Sequence, residues 1–231
     1  MNSLTMTIAG LDKEILLALN SFGGGNKDLW ELANNSLFRG FPVFFSLPAL
    51  WFSGGNQERR GRMLAGLLAV CLATIFSFWS QFHIAVHTRP ALDPALHLKT
   101  FILPMTWDRT SSFPSDTGTL FFGLAAVVFA ERRLLGSFCF VWVAAVIAIP
   151  KVIFGFHYAS DIVGSLVLGP ASVFLFDASP YPRRLFERAL MFFESRMYLV
   201  HAFLFVFLAE AYDLFLSLQA LGKKLVQFLH G

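Results

Sequence analysis

The segment "SDTGTLFFGLAAVVFAERRLLGSFCFVWVAAVIAIPKVIF", residues 115–154, decides the fold class. Its two apolar runs, 115–131 and 134–154, are divided only by Glu131-Arg132-Arg133. Each approaches the ~20 residues that a helix needs to cross a hydrocarbon core. A charged triplet between two such runs predicts a tight helical hairpin. Further apolar segments lie outward from it at 36–53, 63–86, 158–177 and 197–219. The predicted fold is all-α: a polytopic membrane bundle of six transmembrane helices.

Composition agrees. The chain has 231 residues, 56% hydrophobic and 14% charged, with 28 Phe and a mean hydropathy of +0.61. A soluble domain carries about 25% charged residues. The net charge of +3 is too small to point to nucleic acid. No charged n-region, short apolar core and small-residue cleavage site opens the chain, so no removable signal peptide is expected. Cys71 and Cys139 both sit in apolar runs and read as small core residues rather than a disulfide or metal pair. With no internal repeat, residues 1–231 read as one membrane-embedded domain. Its parts are an interfacial helix (1–22), a motif-bearing core (36–177) and a last transmembrane helix (197–219).

Residues 3–21 place Leu4, Ile8, Leu11, Ile15, Leu16 and Leu19 mostly three or four apart, interrupted by Asp12, Lys13 and Glu14. That pattern predicts an amphipathic helix lying on the membrane surface, ended by Gly23-Gly24-Gly25. Six crossings put both termini on one face. The short loops of the other face hold Arg59, Arg60, Arg62, Arg132, Arg133, Arg183, Arg184, Arg188 and Arg196, which assigns that face to the cytoplasm. Lys13, Lys27, Lys223 and Lys224 fall on the opposite face, so the raw basic counts do not separate the two. The segment "YPRRLFERALMFFESR" (181–196) reads either as a cytoplasmic surface helix touching anionic lipid or as a plain connector.

Three polar clusters then share the outer face: "HTRP" (87–90), "FPSDT" (113–117) and "PKVIFGFHYASD" (150–161). Ionisable groups at the ends of apolar spans are functional candidates. His157 and Asp161, four apart, project from one helix face, so the carboxylate can accept the Nδ1–H and leave Nε2 free as a nucleophile. A His–Asp pair can equally satisfy itself at a helix interface. Pro114 fits the first turn of a helix, with Ser115, Asp116 and Thr117 around its N-terminus, where free N–H groups attract an anion. The same residues also make an ordinary helix cap. Arg89 offers a planar fork suited to phosphate, or snorkels to the interface. Lys151 closes the preceding span near the same spot. Taken together, these groups describe phosphoryl transfer through a phosphohistidine. No cluster has metal-ligand spacing, so metal-independent chemistry with no cofactor is expected.

These positions resemble the type 2 phosphatidic acid phosphatase superfamily of membrane lipid phosphatases, whose motifs are K-x6-R-P, P-S-G-H and S-R-x5-H-x3-D. The matching stretches are "FHIAVHTRP" (82–90), "PSDT" (114–117) and "PKVIFGFHYASD" (150–161), separated by 23 and 32 residues. The second motif is similar to that of the bacterial branch acting on polyprenyl diphosphates, which often reads P-S-D-H. The resemblance implies His157 as nucleophile and Asp161 as its orienting partner. It implies Arg89, Ser115 and Lys151 as holders of the phosphate oxygens, a lipid phosphate substrate, and a multi-pass plasma (inner) membrane location with the site on the outer, periplasmic face. The gap between the third and fifth spans is then expected to admit a lipid chain.

Three positions depart from the family pattern. Phe82 stands in place of Lys, Lys151 in place of Arg, and Thr117 in place of the His that protonates the leaving group. General acid catalysis contributes roughly 10²–10⁴-fold, and most for a poor leaving group such as a lipid alkoxide. A departing phosphate needs far less protonation, so the loss weighs against monoester hydrolysis more than against diphosphate cleavage. Asp116, His83, His87 and His97 are candidate replacements, and spacing favours none of the histidines. Three activities stay open: a lipid phosphatase or phosphotransferase, a silent relative that binds or moves lipid phosphates, and transfer of a polyprenyl-linked sugar.

Overall fold

The computed structural model describes residues 3–54, 56–84, 86–101 and 111–212. Within them the chain is helical: α1 (Ser3–Gly23), α2 (Lys27–Asn34), α3 (Ser36–Phe52), α4 (Gln57–His83), α5 (Asp116–Glu131), α6 (Arg133–Trp142), α7 (Ile149–Ile153), α8 (Ala159–Ala178), α9 (Pro180–Phe192) and α10 (Met197–Tyr212). A single antiparallel bridge, between Thr88 and Ser111, is the one β interaction among the described residues. Residues beyond 212 in the expected last span, with Lys223 and Lys224, lie outside them.

Local sequence sets several of the boundaries. Asn26, Asn35 and Asn56 cap α2, α3 and α4 by accepting the N–H of Leu29, Phe38 and Arg59. Such a cap satisfies one of the donors left over at a helix start. The short helix α2 has no counterpart in the apolar pattern, because its own composition is polar.

The centre is α5. Its residues Thr117–Val128 are all buried, as expected of a helix apolar on every side. It is packed by α3, α4, α6 and α8. Its closest neighbour is α8, where a Cβ on Gly169 would stand 2.5 Å from the Thr119 carbonyl and 2.8 Å from the Gly123 nitrogen. Small residues let two helix backbones meet. That contact corrects the expected lipid-admitting gap between the third and fifth spans: the two helices touch. The predicted α5–α6 hairpin forms, turning at Arg132.

The expected fourth span, 134–154, is interrupted. A π-helical segment, Val143–Ala148, separates α6 from α7. Pro150 has no N–H to return to the Val146 carbonyl, and a widened turn relieves the loss. Taken as one unit, Arg133–Ile153 is long and apolar enough to cross a membrane, as are Gln57–His83 and Ala159–Ala178. The pair Pro180–Phe192 and Glu194–Tyr212, bent by 69°, makes a fourth if counted as one broken span. The expected spans at 36–53 and 115–131 correspond to helices of 17 and 16 residues.

α1 is more than a surface float. Asp12, Leu16 and Asn20, each four apart, form its buried stripe. Asp12 accepts from the Ser160 N–H and hydroxyl. Asn20 donates to the Ile153 and Lys99 carbonyls, and Leu16 packs with Leu96 and Val152. Asp12, read from sequence as a polar interruption, faces inward because the backbone beside α8 gives it partners. At the other end of the bundle, Arg59 and Arg62 pair with Glu131 at 2.9 and 3.4 Å. Arg183 on α9 reaches Glu58 at 3.5 Å. Part of the arginine density read as a topology signal is therefore ion pairing between helix ends. α9 packs against α4, with Glu187 and the Arg183 backbone close to Gly61.

Candidate functional site

The C-terminal end of α4, the start of α5 and the turn between α7 and α8 meet at one end of the bundle. Gln81 donates to the Pro114 carbonyl at 2.7 Å, and Ser77 to the same oxygen at 3.0 Å. These bonds hold the strand of chain that enters α5. The helix begins one residue later than expected. Pro114 lies outside the first turn and Ser115 is the cap, its hydroxyl accepting from the Gly118 N–H at 3.1 Å.

The turn 154–158 presents the histidine. Gly155 there has φ +75°, a conformation that favours glycine, and its carbonyl accepts from the Ala91 N–H at 2.9 Å. The Lys151 carbonyl accepts from both Phe156 and His157. His157 is 1% exposed. Its Nδ1 lies 3.0 Å from the Ser112 carbonyl and 3.3 Å from Asp161 Oδ2. Both partners only accept, so the proton sits on Nδ1 and Nε2 carries the lone pair. That nitrogen lies 3.2 Å from Ser115 Oγ. Burial pushes the imidazole below the ordinary histidine value; Asp161 opposes that, and the charges of Arg89 and Lys151 reinforce it. The ring is thus neutral at physiological pH.

Asp161 is fully buried and also accepts from the Tyr158 N–H at 2.9 Å. Its backbone carbonyl receives the Ser115 N–H at 3.3 Å, tying α8 to the start of α5. Arg89, 4% exposed, donates to the Phe156 carbonyl at 3.1 Å and to Gln81 Oε1 at 3.2 Å. Two clusters therefore converge on His157: the Arg89 segment through Phe156, and the α5 start through Ser115.

The other expected site residues are placed less centrally. The Lys151 ammonium sits 4.7 Å over the Phe156 ring. Asp116 turns its carboxylate back to the Thr117 N–H at 2.8 Å. Thr117 is buried, with its hydroxyl 3.5 Å from Asp116 Oδ1. Phe82 is half exposed and packs on Phe78 at 5.2 Å, while its neighbour Gln81 faces inward. Among the other histidines, His83 stacks on Trp79 and His97 caps an exposed turn. His87 alone of these reaches the cluster, 3.2 Å from Asp161 Oδ1 and 3.1 Å from the Ser112 hydroxyl.

Sequence reasoning does not single out Gln81 or Ser112. Ser77, Ser80 and Gln81 form a polar stripe within an apolar span at helical spacing, which is the signal that marks the amide. Among the described residues, no group of three or more His, Cys, Asp or Glu is arranged to hold a metal ion.

Comparison with known proteins gives a likeness over part of the chain. Across 121 residues it is 31% identical to the Escherichia coli (strain K12) protein named "Putative undecaprenyl-diphosphatase YbjG". The match covers 52% of this chain and 57% of that protein. No family model matches the chain, and neither does any solved structure.

Proposed function

We propose that this chain is an integral membrane lipid phosphatase or phosphotransferase acting on a polyprenyl phosphate or diphosphate through a phosphohistidine at His157. The carrying observation is one line of atoms. Asp161 holds Nδ1 of a buried, neutral imidazole whose Nε2 points at the Ser115 cap of α5. The partial likeness to a protein named as an undecaprenyl-diphosphatase supports the same class of substrate.

The start of α5 offers N–H groups and a positive dipole end to a phosphoryl group. Arg89, Ser115 and Lys151 hold its oxygens, with Asp116 and Thr117 shaping the edge. The Nε2 lone pair forms an N–P bond as the P–O bond to the leaving group breaks. With a diphosphate, the electron pair leaves on a polyprenyl phosphate, which needs no acid at position 117. Water then bonds to phosphorus, the N–P pair returns to Nε2, and the surplus proton passes to solvent. A lipid alcohol in place of that water gives transfer instead of hydrolysis. The chain acts as one membrane-embedded domain of six crossings in the plasma (inner) membrane, its site on the periplasmic face.

Phosphate release from polyprenyl diphosphate, polyprenyl phosphate and phosphatidic acid by purified protein, beside His157→Ala, tests this. Release that the variant loses supports it. Absence of release from every lipid favours a binding protein, and a lipid-linked product without free phosphate favours sugar transfer. Thr117, buried where the resemblance places a proton donor, cannot supply that proton, which predicts the diphosphate as the best substrate.

A further inference from the structure

Asp161 has two imidazoles, one on each oxygen. Oδ2 faces His157 Nδ1 at 3.3 Å and Oδ1 faces His87 Nε2 at 3.2 Å. Ser112 bridges the same two rings, its carbonyl on His157 Nδ1 and its hydroxyl on His87 Nδ1. His87, Asp161, His157 and Ser112 thus close a four-membered cycle. The two rings differ in access. The His87 side chain is 27% exposed and that of His157 1%, so a proton from solvent reaches the cycle at His87.

We propose that His87 is a positioning residue which shares the Asp161 carboxylate with His157 and, by its charge, sets how strongly that carboxylate supports the nucleophile. The proposal rests on His157 acting as the nucleophile. When the phosphoryl group joins Nε2, the imidazole that keeps its Nδ1–H becomes cationic, and Asp161 stabilises it. A protonated His87 competes for that carboxylate and repels the new cation. A neutral His87 leaves the full negative charge to His157. The 3.2 Å contact between His87 Nε2 and Asp161 Oδ1 is poorly aligned for a hydrogen bond, yet bonding and charge both act across it to favour the protonated ring. The Tyr158 ring holds the His87 plane edge-on at 4.8 Å.

The charged and titratable groups facing the pair come from every side. Asp161 and Tyr158 belong to α8 and its cap, Asp12 to α1, and Arg89 and Lys151 act on His157. Burial draws the His87 proton affinity down, but Asp161, aided by Asp12, outweighs it and leaves the ring above the ordinary histidine value. His87 is therefore charged at mildly acidic pH and neutral above its raised midpoint. Phosphoryl transfer to His157 rises with pH through that midpoint.

Full-length protein labelled with ¹⁵N-histidine and held in detergent micelles gives the direct test, because it needs no substrate. In the wild type, the His157 ring signals inflect at the His87 midpoint. In His87→Gln, which keeps an amide for Asp161 and Ser112 but cannot titrate, that inflection disappears. Asp12→Asn, remote from the phosphate, shifts the inflection to lower pH. A His157 curve identical in all three proteins overturns the proposal. In kcat/KM for polyprenyl diphosphate, His87→Gln exceeds the wild type about tenfold a pH unit below the His87 midpoint and matches it a pH unit above. Superimposed pH profiles overturn the proposal as well. Coupled rings in a protein that releases no phosphate uphold the shared carboxylate and count instead against the phosphatase assignment.

Discussion

Gln81 Oε1 accepts a hydrogen bond from the Arg89 guanidinium at 3.2 Å while the other end of the same amide holds the Pro114 carbonyl. One side chain on α4 therefore fixes both the cation of the first motif and the entry to α5. Gln81→Leu removes both bonds and leaves buried polar groups short of partners, at about 1–3 kcal/mol. The expected result is a lower unfolding temperature and a raised KM for lipid phosphate. Gln81→Glu keeps an acceptor for Arg89 but has no donor for the Pro114 carbonyl, so it should also lower the unfolding temperature. By pairing with Arg89 it should raise KM more than Gln81→Leu does. Steady-state kinetics separate the two.

Ser115→Ala loses a helix cap and the hydroxyl facing His157 Nε2. The cap alone is worth about 0.5–2 kcal/mol. The loss of a donor to the phosphoryl group adds a fall in kcat of about 10²-fold. Ser115→Asp restores the cap and places a negative charge where the phosphate binds. It should recover stability without activity, which thermal unfolding and phosphate release measured on the same samples would show.

Thr117→His returns a titratable group to the buried last position of the second motif. It should raise hydrolysis of a lipid monophosphate by about 10–100-fold, with little gain on a diphosphate. A gain confined to the diphosphate would place position 117 away from the leaving group.

Gly169→Ala puts a methyl against the Thr119 carbonyl and the Gly123 backbone. Because backbone cannot move aside as a side chain can, α8 must shift away from α5, at about 1–3 kcal/mol. Asp161, on the same helix, then moves relative to Ser115. Unfolding midpoint and kcat should fall together.

Much of this was legible in the sequence. The apolar runs give α5 and α8 to within a residue at each end, because long segments without charge have few alternatives to a buried helix. α4 instead starts at Gln57, six residues before its apolar run begins at 63, in the charged stretch capped by Asn56. The four-residue spacing anticipated the His157–Asp161 pair but not its geometry: His157 precedes the Tyr158 cap of α8 and meets Asp161 from the turn, rather than from a shared helix face. The stripe of Ser77, Ser80 and Gln81 marks a polar face on α4, but what that face holds was hidden until the fold brought Pro114 and Arg89 to the amide. His87 was one of three candidate histidines that spacing could not rank, because its neighbours in space, Asp161 and Ser112, lie far away in the chain. Asp12 misled, since charge in an amphipathic segment normally faces water, whereas here the start of α8 supplies it with partners. The interrupted helix at Val143–Ala148 follows from Pro150 once its missing donor is counted.

Everything proposed for the site turns on a covalent bond between His157 Nε2 and phosphorus. Purified protein mixed with a polyprenyl diphosphate, quenched in denaturing alkali and digested, tests it by mass spectrometry. The expected result is a phosphoryl group on the peptide carrying His157, stable to base, lost in acid, and absent from His157→Gln. Turnover without that adduct, or an adduct on another residue, would contradict it.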